Sequence, residues 1–245
     1  MEVELDARLV EDAVFRVLHA CASGTIDAAS YREYRSRLDQ AYEQPRETDG
    51  EAREDEFQRI HAEYFARLGL DGWIRSLLLE FPLLDHKLDR LVFVTARSSK
   101  EEGAELLVRP GSTPEDVRPA AFVALRPERF LATHSLGTWL RRELLHVSDM
   151  VDPDFGYRPR LGLDLDGGRF ENLIRDRYRV LWDLYVDARL VLARKLPVRV
   201  LRQHVERVRQ ALPGGGRAQA ARILRSVRLA APVLHADLLG LAKAV

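Results

Sequence analysis

The chain has 245 residues, 46% hydrophobic and 31% charged, with 38 basic and 38 acidic side chains. That is enough apolar material for one large or two small globular cores, and a formal net charge of zero gives the chain as a whole no pull toward nucleic acid or a membrane surface. A single cysteine, Cys21, excludes an intramolecular disulfide and a thiolate metal cluster, and its apolar surroundings make it a small core residue.

No run approaches the ~18 apolar residues of a membrane helix. The acidic opening at residues 1–6 has no apolar signal region, so a cytoplasmic protein is expected. Charge is unevenly spread. Residues 194–228 hold ten Arg or Lys and one acid, Glu206. Because lysine is nearly absent throughout, this skew reads as codon usage rather than as a phosphate-binding face, and no nucleic-acid partner is expected.

Apolar positions at Leu5, Leu9, Val10, Ala13, Val14, Val17 and Leu18 have helical spacing and predict a first helix over 5–22, stopped by Gly24. A second is expected over 27–42. Residues 44–56 lack apolar anchors and read as a mobile loop. A third helix spans 54–68 before Gly69, and a short one 72–80 before Pro82. His61, beside Ile60, Tyr64 and Phe65, reads as a packing residue.

The pattern changes after Asp85. Short, partly β-branched runs at 91–95, 105–108 and 120–125 are separated by Gly- and Pro-bearing turns such as 109–114. They predict a small sheet of about three strands, antiparallel because the connections are too short for helical crossovers. Helices follow over 133–150, 170–196, 198–212, 217–229 and 232–244, with a break at Pro213 to Gly216. The class is therefore α+β, helix-dominant. Three regions are expected: an N-terminal helical region at 1–85, a core at 86–197 and a C-terminal helical region at 198–245.

Two stretches could carry chemistry. On the predicted helix over 133–150, Glu143 and His146 lie three apart and Arg142 and His146 four apart, so all three share one face. That is the layout of the zinc-binding H-E-x-x-H helix, in which two imidazoles hold the ion and the glutamate takes a proton from bound water, except that Arg142 stands in the first histidine's place. The second stretch is the apolar helix around Asp183 and Asp187. Two carboxylates four apart on a buried helix need a positive partner, which could be a metal or an arginine.

The run from Ala120 through Phe130 into Arg142, Glu143 and His146, followed by Asp183 and Asp187, resembles zinc metallopeptidases of the zincin class, and its gluzincin branch in particular. The resemblance covers residues 120–192 and implies the sheet packed against a site helix. It also implies Glu143 as general base, His146 as a zinc ligand, Asp183 as the acidic third ligand and Asp187 as the acid that orients a histidine ligand. Tyr157, in the turn 152–157, would donate to an oxyanion in an active relative or else pack over the site helix. Arg142 departs from the pattern, because a guanidinium cannot lose its proton to ligate zinc.

That departure has three readings. His134 could replace the missing imidazole, but if the helix already includes it, twelve residues separate it from His146, about 18 Å of rise, too far to share one ion. Arg142 could itself stand in for the metal, gripping Asp183 or Asp187. Or Arg142 could face solvent, the match to the motif being accidental.

The second reading is preferred. It gives a degenerate, non-catalytic metallopeptidase-like protein that needs no cofactor and binds a peptide or protein partner in the inherited cleft. The alternatives are an active zinc-dependent hydrolase using His146, Asp183 or Asp187 and His134, or a helical scaffold. Asp149 reads as a partner for the His146 ring or an exposed helix-end residue, and the charges at Arg175, Asp176, Arg177 and Arg179 as a solvated face. Residues 161–168 read as a Gly-rich connector. Gly214 to Gly216 lack the strand and the lysine of a phosphate loop, and Ser135 lacks a nucleophile elbow.

Overall fold

The computed structural model describes residues 1–23, 28–43, 50–107, 118–159 and 169–244. The Cys21 side chain, the turn at 109–114, the first part of the expected loop at 44–56 and the connector at 161–168 lie outside the described residues. The chain divides into two compact units, Met1–Trp139 and Leu140–Val245.

In the first unit, strand β1 (Glu2–Leu5) leads into α1 (Ala7–Ser23), α2 (Ala28–Glu43), α3 (Gly50–Arg67), α4 (Leu70–Leu78) and α5 (Pro82–Lys87). Then come β2 (Arg90–Thr95), β3 (Gly103–Leu107), β4 (Ala120–Leu125) and a 3-10 turn at Pro127–Ala132. The fold is α+β and helix-dominant.

Its sheet has four strands in the order β1-β2-β4-β3, with β1, β2 and β4 parallel and β3 antiparallel at the edge. The expectation of about three antiparallel strands holds for β3 on β4; it is corrected by the additional strand β1 and by the two parallel pairs. β1 was hidden because Leu5 also fits the helical stripe of α1. The parallel pairing arises because the chain leaves β2, skips one position to lay down β3, and returns to place β4 between them. One short connection, β2 to β3, therefore joins strands that are not neighbours, and β1 reaches its parallel neighbour β2 through the helices α1 to α5, so connection length fixes only the antiparallel β3–β4 pair. Ala96 N to Leu125 O, 3.0 Å, ties the two parallel strands beyond their ladder.

β4 alternates between buried and half-buried residues, with Ala121, Val123 and Leu125 on the covered side, as a sheet with one dry face requires. Leu9, Ala13 and Val14 on α1 are fully buried, as are Tyr34, Ile60, Tyr64 and Phe65 on α2 and α3. His61 is buried among them, its Nδ1 3.1 Å from the Tyr34 hydroxyl. α3 begins at Gly50, so the second part of the expected loop is helical. Its residues are good helix formers with local pairs such as Arg59 to Glu56 at 2.6 Å, and extending a helix already anchored at Ile60 and Tyr64 costs little.

The second unit contains most of α6 (Thr133–Val151), within which the two units divide. It continues with α7 (Arg169–Leu192), α8 (Val198–Ala211), α9 (Gly216–Arg228) and α10 (His235–Lys243). α7 is the central rod of this unit, packing on α8, α9 and α10. The core includes Leu181, Leu184, Val208, Leu212, Ile223 and Leu238. Pro213 to Gly215 form the break between α8 and α9, and Gly216 is required there. A Cβ at that position would stand 2.5 Å from the Val208 carbonyl oxygen. Arg177 is buried and donates to Ala211 O at 3.4 Å, so the charge run it belongs to is not wholly solvated. Among the described residues no helix is long and apolar enough to cross a membrane.

Candidate functional site

The site lies in the second unit, on the faces that α6 and α7 turn toward each other. A helical repeat of 3.6 residues puts Arg142, His146 and Asp149 on one side of α6, and Asp183 and Asp187 one turn apart on α7. Arg142 takes Asp187: Nε stands 2.7 Å from Oδ1 as an ion contact without hydrogen-bond alignment, and Nη2 donates to Oδ2 at 3.3 Å. The Asp187 side chain is 0% exposed, against 25% for that of Arg142. One turn along, His146 Nε2 meets Asp183 Oδ1 at 3.1 Å, with side-chain exposures of 15% and 33%. Burial raises the Asp183 carboxyl. The hydrogen bond from His146 and the charges of His146 and Arg142 outweigh that and hold it below the usual carboxylate range.

His204, on α8, completes the arrangement and was not singled out in the sequence. Its ring is buried against the same carboxylate, with Nδ1 on Asp187 Oδ2. Arg207 Nη1 donates to its Nε2 at 2.6 Å, and Arg142 Nη2 lies 3.1 Å from the same nitrogen. A guanidinium can only donate, so this network puts the ring proton on Nδ1, where it is given to Asp187. The available signal was weak: His204 sits on the apolar stripe of α8, four residues before the buried Val208.

Asp149 does not reach the His146 ring and is not exposed. It accepts from Trp182 Nε1 at 2.7 Å and from Arg189 Nη1 and Nη2 at 2.8 and 2.5 Å. The Arg189 guanidinium in turn covers the Tyr185 ring at 4.0 Å. Trp182 lies edge-on to His146, with centroids 4.6 Å apart, and separates it from Tyr157, whose ring is 5.5 Å from Trp182 and 5.7 Å from His235. Tyr157 is thus part of an aromatic cluster, where burial raises its hydroxyl. Glu143 is half-buried on the same turn of α6 as Arg142. His134 is exposed in the first turn of α6, its carbonyl accepting from Thr138 Oγ1 at 3.2 Å.

The donor set can be tested against zinc. Such a site takes three protein ligands in a catalytic centre and four in a structural one. Here Asp187 is engaged by Arg142 and His204, and Arg142 offers no lone pair. His146 and Asp183 face each other as a pair. Among the described residues no group of three or more His, Cys, Asp or Glu side chains is arranged to hold a metal ion. As arranged, these residues do not fit zinc. Chemically the network presents a fixed, neutralised core with a partly open His146–Asp183 pair beside it. Comparison of the chain with protein-family models, with curated proteins and with solved structures finds no match.

Proposed function

We propose that this chain is a metallopeptidase-like protein in which an internal cation has replaced the metal, and that it works by binding a peptide or protein segment rather than by cleaving one. The observation that carries the proposal is the Arg142–Asp187 pair. In the gluzincin-like layout Asp187 is the acid that orients a histidine ligand, and the residue it engages, Arg142, stands in the position of a histidine ligand, the first. The neighbouring His146–Asp183 pair, in the positions of the second and third ligands, supports the same correspondence. Both pairs follow the pattern that the resemblance implies for a metal site, with the ion's charge supplied by a guanidinium. The His146–Asp183 pair keeps some contact with solvent and offers polar groups to an extended peptide backbone.

Metal analysis and one substitution test the reading. Protein purified without added metal is expected to hold zinc far below one equivalent, whereas Arg142→His is expected to take up one equivalent tightly, because it restores an imidazole beside Asp187. Stoichiometric zinc in the natural chain would replace this reading with that of an active hydrolase. An Arg142→His variant that loses stability without gaining zinc would favour a scaffold whose charges are purely structural.

A further inference from the structure

The three parallel strands of the first unit end on the same rim of the sheet. There the residues that follow β1, β2 and β4, with the first turns of α1, line a cavity of about 470 Å³. The C-terminal rim of parallel strands is where open sheets receive ligands, because a helix beginning at that rim points unpaired amides into it. α1 begins there at Ala7.

The cavity holds polar atoms with nothing to bond. Thr95 Oγ1 and Arg16 Nε are shut off from solvent and have no hydrogen-bond partner. Arg126 Nε is in the same condition apart from an ion contact of 3.4 Å to Glu102. A buried hydroxyl without a partner costs stability, and native chains seldom keep one unless a ligand or water meets it. At the mouth, the exposed guanidinium groups of Arg8 and Arg97 have no ion pair among the described residues. The acids in the lining are mostly committed: Glu128 to Arg16 Nη2 at 2.9 Å, and Asp6 to the backbone N–H of Leu9 at 3.3 Å. Asp6 thereby caps the positive end of α1, and Asp12 is the lining acid left to oppose the two cations of Arg8 and Arg97.

We propose that this cavity binds a small molecule through an oxyanion group, phosphate or carboxylate, held by the Thr95 hydroxyl, the Arg8 amide at the start of α1 and the guanidinium groups of Arg8 and Arg97. The site belongs to the first unit and is independent of the Arg142–Asp187 network.

Calorimetric titration of the full chain with inorganic phosphate, and in a second arm with malonate, tests it. One of the two is expected to bind saturably with a Kd at or below about 1 mM, and which one identifies the group. Arg8→Ala with Arg97→Ala is expected to weaken that binding about tenfold, since two charge-assisted hydrogen bonds go with it. Thr95→Val is expected to weaken it too while leaving the thermal midpoint of the free protein the same or higher, and Thr95→Ser, which keeps the hydroxyl, to bind as the natural chain does. Absence of saturable binding by both anions at or below about 10 mM would overturn the proposal. Binding that survives unchanged in the double arginine variant would overturn it as well.

Discussion

Arg142 and Asp187 meet between α6 and α7 with Nε 2.7 Å from Oδ1, and the carboxylate has no contact with water. Removing a charged group from solvent costs several kcal/mol, which only close, correctly placed partners offset. Asp187 has two, the guanidinium on α6 and the His204 ring on α8, so one carboxylate ties three helices together.

Arg142→Met is therefore expected to destabilise the protein by about 3–5 kcal/mol, because it strands a buried negative charge while keeping the volume of the side chain. Adding Asp187→Leu in the same chain should recover most of the loss, since the charge that needed compensation is gone. Urea unfolding followed by circular dichroism reads both. A single variant within about 1 kcal/mol of the natural chain would show that the pair does not compensate the acid.

His235 supplies a pH dependence. Its ring is buried among Phe155, Tyr157 and Tyr178, with Nδ1 2.8 Å from the Tyr178 hydroxyl, and burial, with the charge of Arg158 behind it, lowers its proton affinity. The unfolded chain takes up a proton near pH 6.5 and the folded chain only at lower pH, so between those values the unfolded state binds more protons. Stability contributed at neutral pH should fall as pH drops below about 6.5 and level off once the folded ring is protonated. His235→Gln keeps a hydrogen-bonding side chain without the titration. Its unfolding free energy should fall less steeply from pH 7 to 5, and identical slopes would contradict the assignment.

Helices were legible where a stripe of apolar residues repeats every three to four positions: α6, α8 and α9 start and stop close to where spacing, Gly216 and Pro197 place them. The sheet was less so, since strand direction depends on the order in which strands are laid down, and β1 is four residues long against a strong helical signal. At the site, the spacing of Arg142, His146, Asp183 and Asp187 put the right residues on facing sides. It could not choose between Asp183 and Asp187 as the partner of Arg142, nor reveal Arg189 on Asp149, because those choices depend on the relative rotation and offset of two helices. His204 comes from a third helix with no motif of its own.

The glycines offer a paired test of backbone approach. At Gly216 a Cβ would stand 2.5 Å from the Val208 carbonyl oxygen and 2.9 Å from the Arg209 Cα, both backbone atoms that cannot turn aside. Gly216→Ala should cost about 1–3 kcal/mol, as overpacking does. Gly240, within α10, has nothing within 4 Å of its Cβ position, so Gly240→Ala should stabilise by about 0.5–1 kcal/mol through helix propensity alone. Thermal midpoints moving in opposite directions would bear this out, and a stabilising Gly216→Ala would show that α8 and α9 are not so closely apposed.

Two acids of the site, Asp149 and Asp183, should rank by how completely water is excluded and how many donors they serve. Asp149 is 4% exposed and accepts three hydrogen bonds, two from Arg189 and one from the Trp182 indole, none of which an asparagine oxygen can replace at full strength. Asp149→Asn should cost about 2–4 kcal/mol, because it weakens charge-assisted bonds and turns an amide N–H₂ toward groups that only donate. Asp183, a third exposed and bonded to one histidine, should lose under about 1 kcal/mol on the same change. Trp182 packs edge-on to His146, so Asp149→Asn should also alter the near-ultraviolet circular dichroism of the aromatic cluster, whereas Asp183→Asn should leave it nearly unchanged. Equal losses at the two positions would mean that the carboxylates act as one diffuse patch rather than as separately paired charges.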